Sequence, residues 1–190
     1  MWIYEKKLQF PIDINRTDIK MAKLLYEAYG GQDGPLTMGL SYLNQRYTVK
    51  DPRVIALLTD IGTEEMAHLE IIASLIFNLS KDATPQQFKE AGMGSFYASH
   101  DSALAYTNSS GVPWSAMYTQ TSGDLITDLK DNIAAEERAH SLYQRLIDLT
   151  DNPDLHDVLL FLLERSVIHG LRFREALKLV SDGYYNDSQV

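Results

Sequence analysis

The chain has no cysteine, which excludes disulfides, thiolate metal sites and cysteine nucleophiles. It is poor in positive charge: 17 Lys and Arg face 26 Asp and Glu, for a net charge of −9. No basic cluster of the kind that grips nucleic acid or an anionic membrane is present, so neither is expected as a partner. Long apolar runs are also lacking. The longest, Val158–Leu163, has six residues, against the ~20 that a membrane span needs. Met1-Trp2-Ile3-Tyr4-Glu5-Lys6-Lys7 shows no basic head leading into an apolar stretch, so no secretory signal is read there. A G-x-S-x-G elbow and a Gly-rich phosphate loop after a strand are missing, and Glu rather than His precedes Glu65, so there is no H-E-x-x-H. What is left is a soluble chain of 190 residues, 45% hydrophobic, enough for one domain with a substantial core. Any metal would be held by carboxylate and imidazole, which suits manganese or non-haem iron better than zinc.

The apolar positions repeat with a helical period. Ile19–Tyr29 carries Met21, Leu24, Leu25 and Ala28 on one face, with Asn15 or Thr17 as candidate caps, and stops at Gly30-Gly31. Asp33-Gly34-Pro35 restarts it, so Leu36–Tyr47 reads as the second half of a broken first helix. Asp51-Pro52 opens a second helix that runs to about Asn78, with Val54, Leu57, Leu58, Ile61, Met66, Leu69, Ile72, Leu75 and Ile76 in phase. Lys81–Ser122, rich in Gly, Pro, Ser, Thr, Asn and Tyr, reads as a long connection with a short helix at Thr84–Ala91. A third helix is expected from Gly123-Asp124 to Leu149. A fourth follows from Leu155 to about Val180, ahead of a polar tail at 181–190. Structureless connections of that length are uncommon unless a bundle needs a crossover between its second and third helices. The expected fold is all-α: a ferritin-like four-helix bundle with a long crossover, one domain over residues 1–180.

The second helix carries Glu65-Met66-Ala67-His68 in the middle of its apolar pattern. Residues three apart share a helical face, so this pair aims an oxygen and a nitrogen donor at one spot, the spacing used in helical di-iron and di-manganese sites. The third helix supplies Ile133-Ala134-Ala135-Glu136-Glu137-Arg138-Ala139-His140, which fits the same I-x-x-E-E-x-A-H pattern as Ile61–His68, 72 residues earlier. An internal repeat follows as an expectation, relating the two halves of the bundle. On the fourth helix His169 sits among Leu159, Leu162, Leu163, Ser166 and Phe173. One inward histidine is usually a structural residue. Buried charges from three converging helices need partners or a metal, and together they point to a metal site. The 11 tyrosines read as packing.

The stretches MWIYEKKLQFPIDI, YGGQDGPLTMGLSYLNQRYT, LLTDIGTEEMAHLEII, HDSALAYTNSSGVPW, DNIAAEERAHSLYQRLIDLTDNPDL and FLLERSVIHGLRFREA together resemble the manganese catalases, and within them the short spore-coat branch of CotJC type. The resemblance covers residues 1–180. It implies a manganese-dependent catalase that disproportionates hydrogen peroxide to oxygen and water at a dinuclear manganese centre, with a mononuclear site or iron as alternatives. It also implies a homo-oligomer, a hexamer by family, placed with other coat proteins in the spore coat of an endospore-forming bacterium and assembled from the cytoplasm. By family position the metal residues are Glu65, bridging both ions, His68 on one, and Glu136 with His169 on the other. Two positions depart from the family pattern. Pro35 stands where a glutamate ligand is usual, and Ser166 where a glutamate near the site is usual. His140, Glu27 and Asp33 are the candidates for replacing the lost carboxylate. Two further readings accompany the catalase: a structural coat protein of the same fold with a degraded or single-metal site, and an iron-handling relative of ferritin.

Overall fold

The structure, a computed structural model, describes residues 4–187 of the chain, with side chains placed to 182; the opening Met1-Trp2-Ile3 and the last three residues of the expected tail lie outside them. The helices are α1 (Ile19–Gly30), α2 (Pro35–Gln45), α3 (Pro52–Ser80), α4 (Pro85–Glu90), α5 (Gly94–His100), α6 (Leu125–Leu149) and α7 (Pro153–Asp187), with a 3-10 turn at Ala116–Tyr118. Each long helix starts where the sequence supplies a cap. Asp51 and Asp124 accept from the backbone amides of Arg53 and Thr127, and Thr84 and Gln87 form a reciprocal capping box on α4. The cap of α1 is Asp18, whose carboxylate accepts from the Met21 amide, rather than Asn15 or Thr17. α7 continues to Asp187, past Val180 where the apolar spacing ends, and α5 was not foreseen within the connection.

α1 and α2 lie end to end along α3, both antiparallel to it: the Asp18 amide donates to the Leu79 carbonyl at one end, and Gly39 faces Gly62 at the other. α6 and α7 form an antiparallel hairpin against that pair. The crossover closes over the joint of the broken helix. Ser109 donates to Glu27, the Trp114 indole to Thr37 and the Gln45 amide to the Gln120 carbonyl, while Thr107 backbone presses on Gly30. The core is a single cluster that includes Leu25, Tyr42, Leu58, Ile61, Ile72, Leu129, Leu159 and Phe173. No helix among the described residues is long and apolar enough to cross a membrane.

Glycine lets α2 approach α3 where the site is built. A Cβ on Gly39 would stand 2.2 Å from the Met66 methyl, 3.0 Å from the Gly62 carbonyl and 3.1 Å from the Glu65 Cβ. Gly39→Ala is therefore expected to displace the Met66 side chain and shift α3 by a few tenths of an ångström beside Glu65, at a cost of about 1 kcal/mol. Denaturant unfolding of the metal-free protein checks this, and an unchanged midpoint would contradict it.

Candidate metal centre

α3, α6 and α7 each turn charged groups into the interior. Glu65, Glu136 and His169 are 1%, 1% and 0% exposed, and each offers a ligand atom within 4.8 Å of the others. His169 Nδ1 lies 2.9 Å from Glu65 Oε1 and 3.6 Å from Glu136 Oε1. His68, 2% exposed, sets its Nδ1 3.3 Å from the other Glu65 oxygen. Its ring stacks on that of His169 with centroids 5.6 Å apart. The four residues singled out from spacing thus meet in one place, with Glu65 between the two imidazoles.

Residues outside that set hold them. Glu64 receives His169 Nε2 at 3.0 Å, Arg165 at 2.9 Å and Gln9 at 2.6 Å. If a cation took the place of the Nδ1 proton, the Glu64 contact would keep the remaining N–H on Nε2, the way an outer carboxylate orients a metal-binding histidine. Tyr42 donates to Glu136 Oε1 at 2.8 Å, and one layer further Gln45 and Asn132 exchange amide hydrogen bonds at 2.9 and 2.7 Å. Glu64 was visible in the sequence as one of a pair of adjacent glutamates. Tyr42, Arg165 and Gln9 gave no local signal, since their partners are distant in the chain.

The proposed replacements for the missing carboxylate are engaged elsewhere. Glu27 accepts from Ser109, at 2.6 Å from its hydroxyl, and Asp33 pairs with Arg138 at 2.7 Å. His140 lines a cleft of about 340 Å³ between α6 and α7, together with Glu136, Ser166 and Arg174, and stands outside the cluster. Ser166 turns its hydroxyl back to the Leu163 carbonyl at 2.8 Å. The repeat does not carry over to the site either. It equates Glu65 with Glu137 and His68 with His140, whereas Glu137 is exposed and paired with Arg174 and the inward residue of its pair is Glu136. α6 presents the first glutamate of its motif to the core and α3 the second, so the two motifs are rotated by one residue against each other.

Burial works against every charge here, and the charges hold one another. Burial would raise Glu65, but the charge of His68 and the hydrogen bond from His169 outweigh it and bring the carboxyl to about 2. Burial and the neighbouring Glu65 charge lift Glu136 to about 7. Burial would lower the histidines, but the carboxylates raise His68 to about 9 and His169 to about 11. Buried acceptor atoms nevertheless stay unpartnered, among them Glu65 Oε2 and Glu136 Oε2, as does His68 Nε2. Orphaned carboxylate oxygens beside two imidazoles fit a hard, oxygen-preferring cation such as manganese.

A pH profile follows. The raised histidines stabilise the metal-free fold fully below their ordinary value of 6.5, and His68 loses its share as pH rises through about 9. Glu136, raised, likewise loses its contribution as pH climbs from 4.5 through about 7. Glu65, lowered, contributes above 4.5 and fades as pH falls to about 2. Metal-free protein is expected to be most stable near pH 4.5, to weaken as Glu136 ionises up to about 7, and to weaken further toward 9. Manganese must displace the histidine protons, so its apparent affinity should rise over the same interval. Thermal midpoints with and without manganese across pH 5–9 test this, and parallel curves would contradict it.

An all-α bundle with two carboxylates and two imidazoles buried between its helices is a helical protein of the ferritin-like class with a candidate metal centre. The chain belongs to the manganese containing catalase family, whose model matches residues 1–186. It is 56% identical over 182 residues to Protein CotJC of Bacillus subtilis, covering 96% of each chain. It is 36% identical to a probable manganese catalase of Clostridium acetobutylicum, over 100% of this chain and 86% of that one. The crystal structure of KatB, a manganese catalase from Anabaena, superposes with a TM-score of 0.89 at 30% identity, over 95% of this chain and 81% of that chain.

Proposed function

We propose that the chain binds manganese through Glu65, His68, Glu136 and His169 and disproportionates hydrogen peroxide to oxygen and water. The observation that carries this reading is the convergence of three helices on buried carboxylate oxygens without hydrogen-bond partners, in a chain of the manganese catalase family. When bound, a pair of manganese ions would supply the two-electron exchange with peroxide. The chain's own residues supply the rest. Glu65, with one oxygen toward each imidazole, would hold metal together with His68 on one side and His169 on the other. Glu64 keeps the His169 proton on Nε2, and Tyr42 fixes the Glu136 carboxylate. Phe173, Tyr42 and Phe161, packed against the site, exclude bulk water. The cleft bounded by Ser166 and His140 reaches Glu136 and gives a small molecule a way in.

A second reading has its own support. The likeness to Protein CotJC extends over 96% of both chains, and Pro35 brings no oxygen to the site. On that reading the protein is a homo-oligomeric component of a spore coat whose metal site is reduced to one ion or none. The two are separated by manganese content and oxygen release from peroxide, measured together on protein produced with manganese. Near two ions per chain with sustained oxygen evolution supports the enzyme. No bound metal and no oxygen would leave the coat role alone.

A further inference from the structure

Tyr143 buries a hydroxyl that finds no partner, though the residue is only 2% exposed. A phenol that serves only as packing would do better as phenylalanine, because a stranded buried hydroxyl is a net cost. Its position is informative. In the α6–α7 hairpin Glu137 meets Arg174, and Glu136 lies 3.6 Å from His169. Two turns toward the hairpin bend, this antiparallel register brings Tyr143 to the level of Leu162, next to Phe161, whose ring meets His68 edge-on at 6.1 Å. That register sets Tyr143 at the level of Phe161, on the hairpin-bend side of Glu136, and burial together with the charges of Glu65 and Glu136 holds its phenol well above the ordinary range. On that side Glu65 Oε2 and His68 Nδ1 lie 3.3 Å apart. Pro35, the buried first residue of α2, has no side-chain donor to offer.

We propose that the phenolic oxygen of Tyr143 is a metal ligand, completing a cation position with Glu65 and His68 beside the one bounded by Glu65, Glu136 and His169. The assignment rests on the metal-centre reading above. A phenolate is a hard oxygen donor, used by proteins for iron and matched to manganese. Its negative charge offsets the surplus left when two divalent cations share the two carboxylates Glu65 and Glu136. On binding, the O–H bond breaks, its proton passes to solvent and the freed oxygen lone pair takes the cation. No electron is transferred.

The test is a titration of metal-free protein with manganese(II), comparing wild type with Tyr143→Phe by near-ultraviolet difference absorption, bound manganese after gel filtration and thermal midpoint without metal. Wild type is expected to develop the difference spectrum of an ionised tyrosine as manganese binds. Tyr143→Phe is expected to lack that spectrum, to bind about half as much manganese, and to melt at the same temperature as wild type or higher when metal-free. Wild type that binds manganese without the tyrosinate signal, with Tyr143→Phe binding as much, would overturn the Tyr143 assignment and leave the centre intact. Wild type that binds no manganese would overturn both.

Discussion

Glu65→Gln is expected to reduce bound manganese to background and to destabilise the metal-free protein as well. The change keeps the shape of the side chain and removes one charge. That charge faces both imidazoles, at 3.3 Å from His68 and 2.9 Å from His169, and it supplies much of the reason that both hold protons above their ordinary range. Removing one member of a buried charge cluster costs about 3–5 kcal/mol. In a chain of this size that is on the order of 10 °C in thermal midpoint. The loss should be largest near pH 6, where wild-type His68 and His169 are charged, and should shrink toward pH 9 as His68 gives up its proton. Elemental analysis and calorimetry at the two pH values check both halves. Manganese content that survives the substitution would place the ion elsewhere.

His169→Gln is expected to show the opposite pH signature. This residue is the one cation in contact with Glu64, Glu65 and Glu136 together. Without it those carboxylates face one another in the interior, where like charges and burial both favour the protonated acid. Glu136, already at about 7, would rise further. The variant should approach wild-type stability near pH 5, where protons can neutralise the cluster, and fall progressively behind it up to pH 8. Manganese affinity should drop at least about tenfold, as the cluster loses its nitrogen donor. Equal losses at pH 5 and pH 8 would show that packing, and not charge, is what His169 provides.

The sequence was most legible where a local rule and the tertiary structure ask for the same residue. Asp51-Pro52 and Asp124 start α3 and α6 because the backbone amides there need an acceptor. Glu65, His68 and His169 stand out as charges inside an apolar period, and Glu136 rather than Glu137 follows from the family resemblance. The apolar spacing also carried the break between α1 and α2. What escaped depends on contacts between distant segments. Tyr42 looks like any core tyrosine until α6 brings Glu136 to it, and Glu64 looks like a surface glutamate until Gln9, Arg165 and His169 gather around it. The eight-residue repeat misled in register, since a shared motif says nothing about which of two adjacent glutamates a helix turns inward. His140 is plausible because it lies one turn from Glu136 on the same face, Glu27 and Asp33 because they are the nearest upstream carboxylates, and in space they belong to a cleft wall, the crossover and an arginine pair.

The segment before α1 has a consequence for timing. Gln9 reaches Glu64, Phe10 stacks on Phe161 with ring centroids 4.8 Å apart, and Tyr4 donates to Glu70. This non-helical strap lies across α3 and α7 beside the imidazoles, so it can dock only after α7, more than 140 residues further along the chain, has folded. Pairing of such distant segments is slow, because the intervening loop must close first. During that interval the cluster lies open on the strap side, and a cation can arrive before the route is covered. Afterwards the strap slows its departure. A variant lacking the residues before Ile14 is accordingly expected to take up manganese as fast as the 190-residue chain and to release it faster to a chelator.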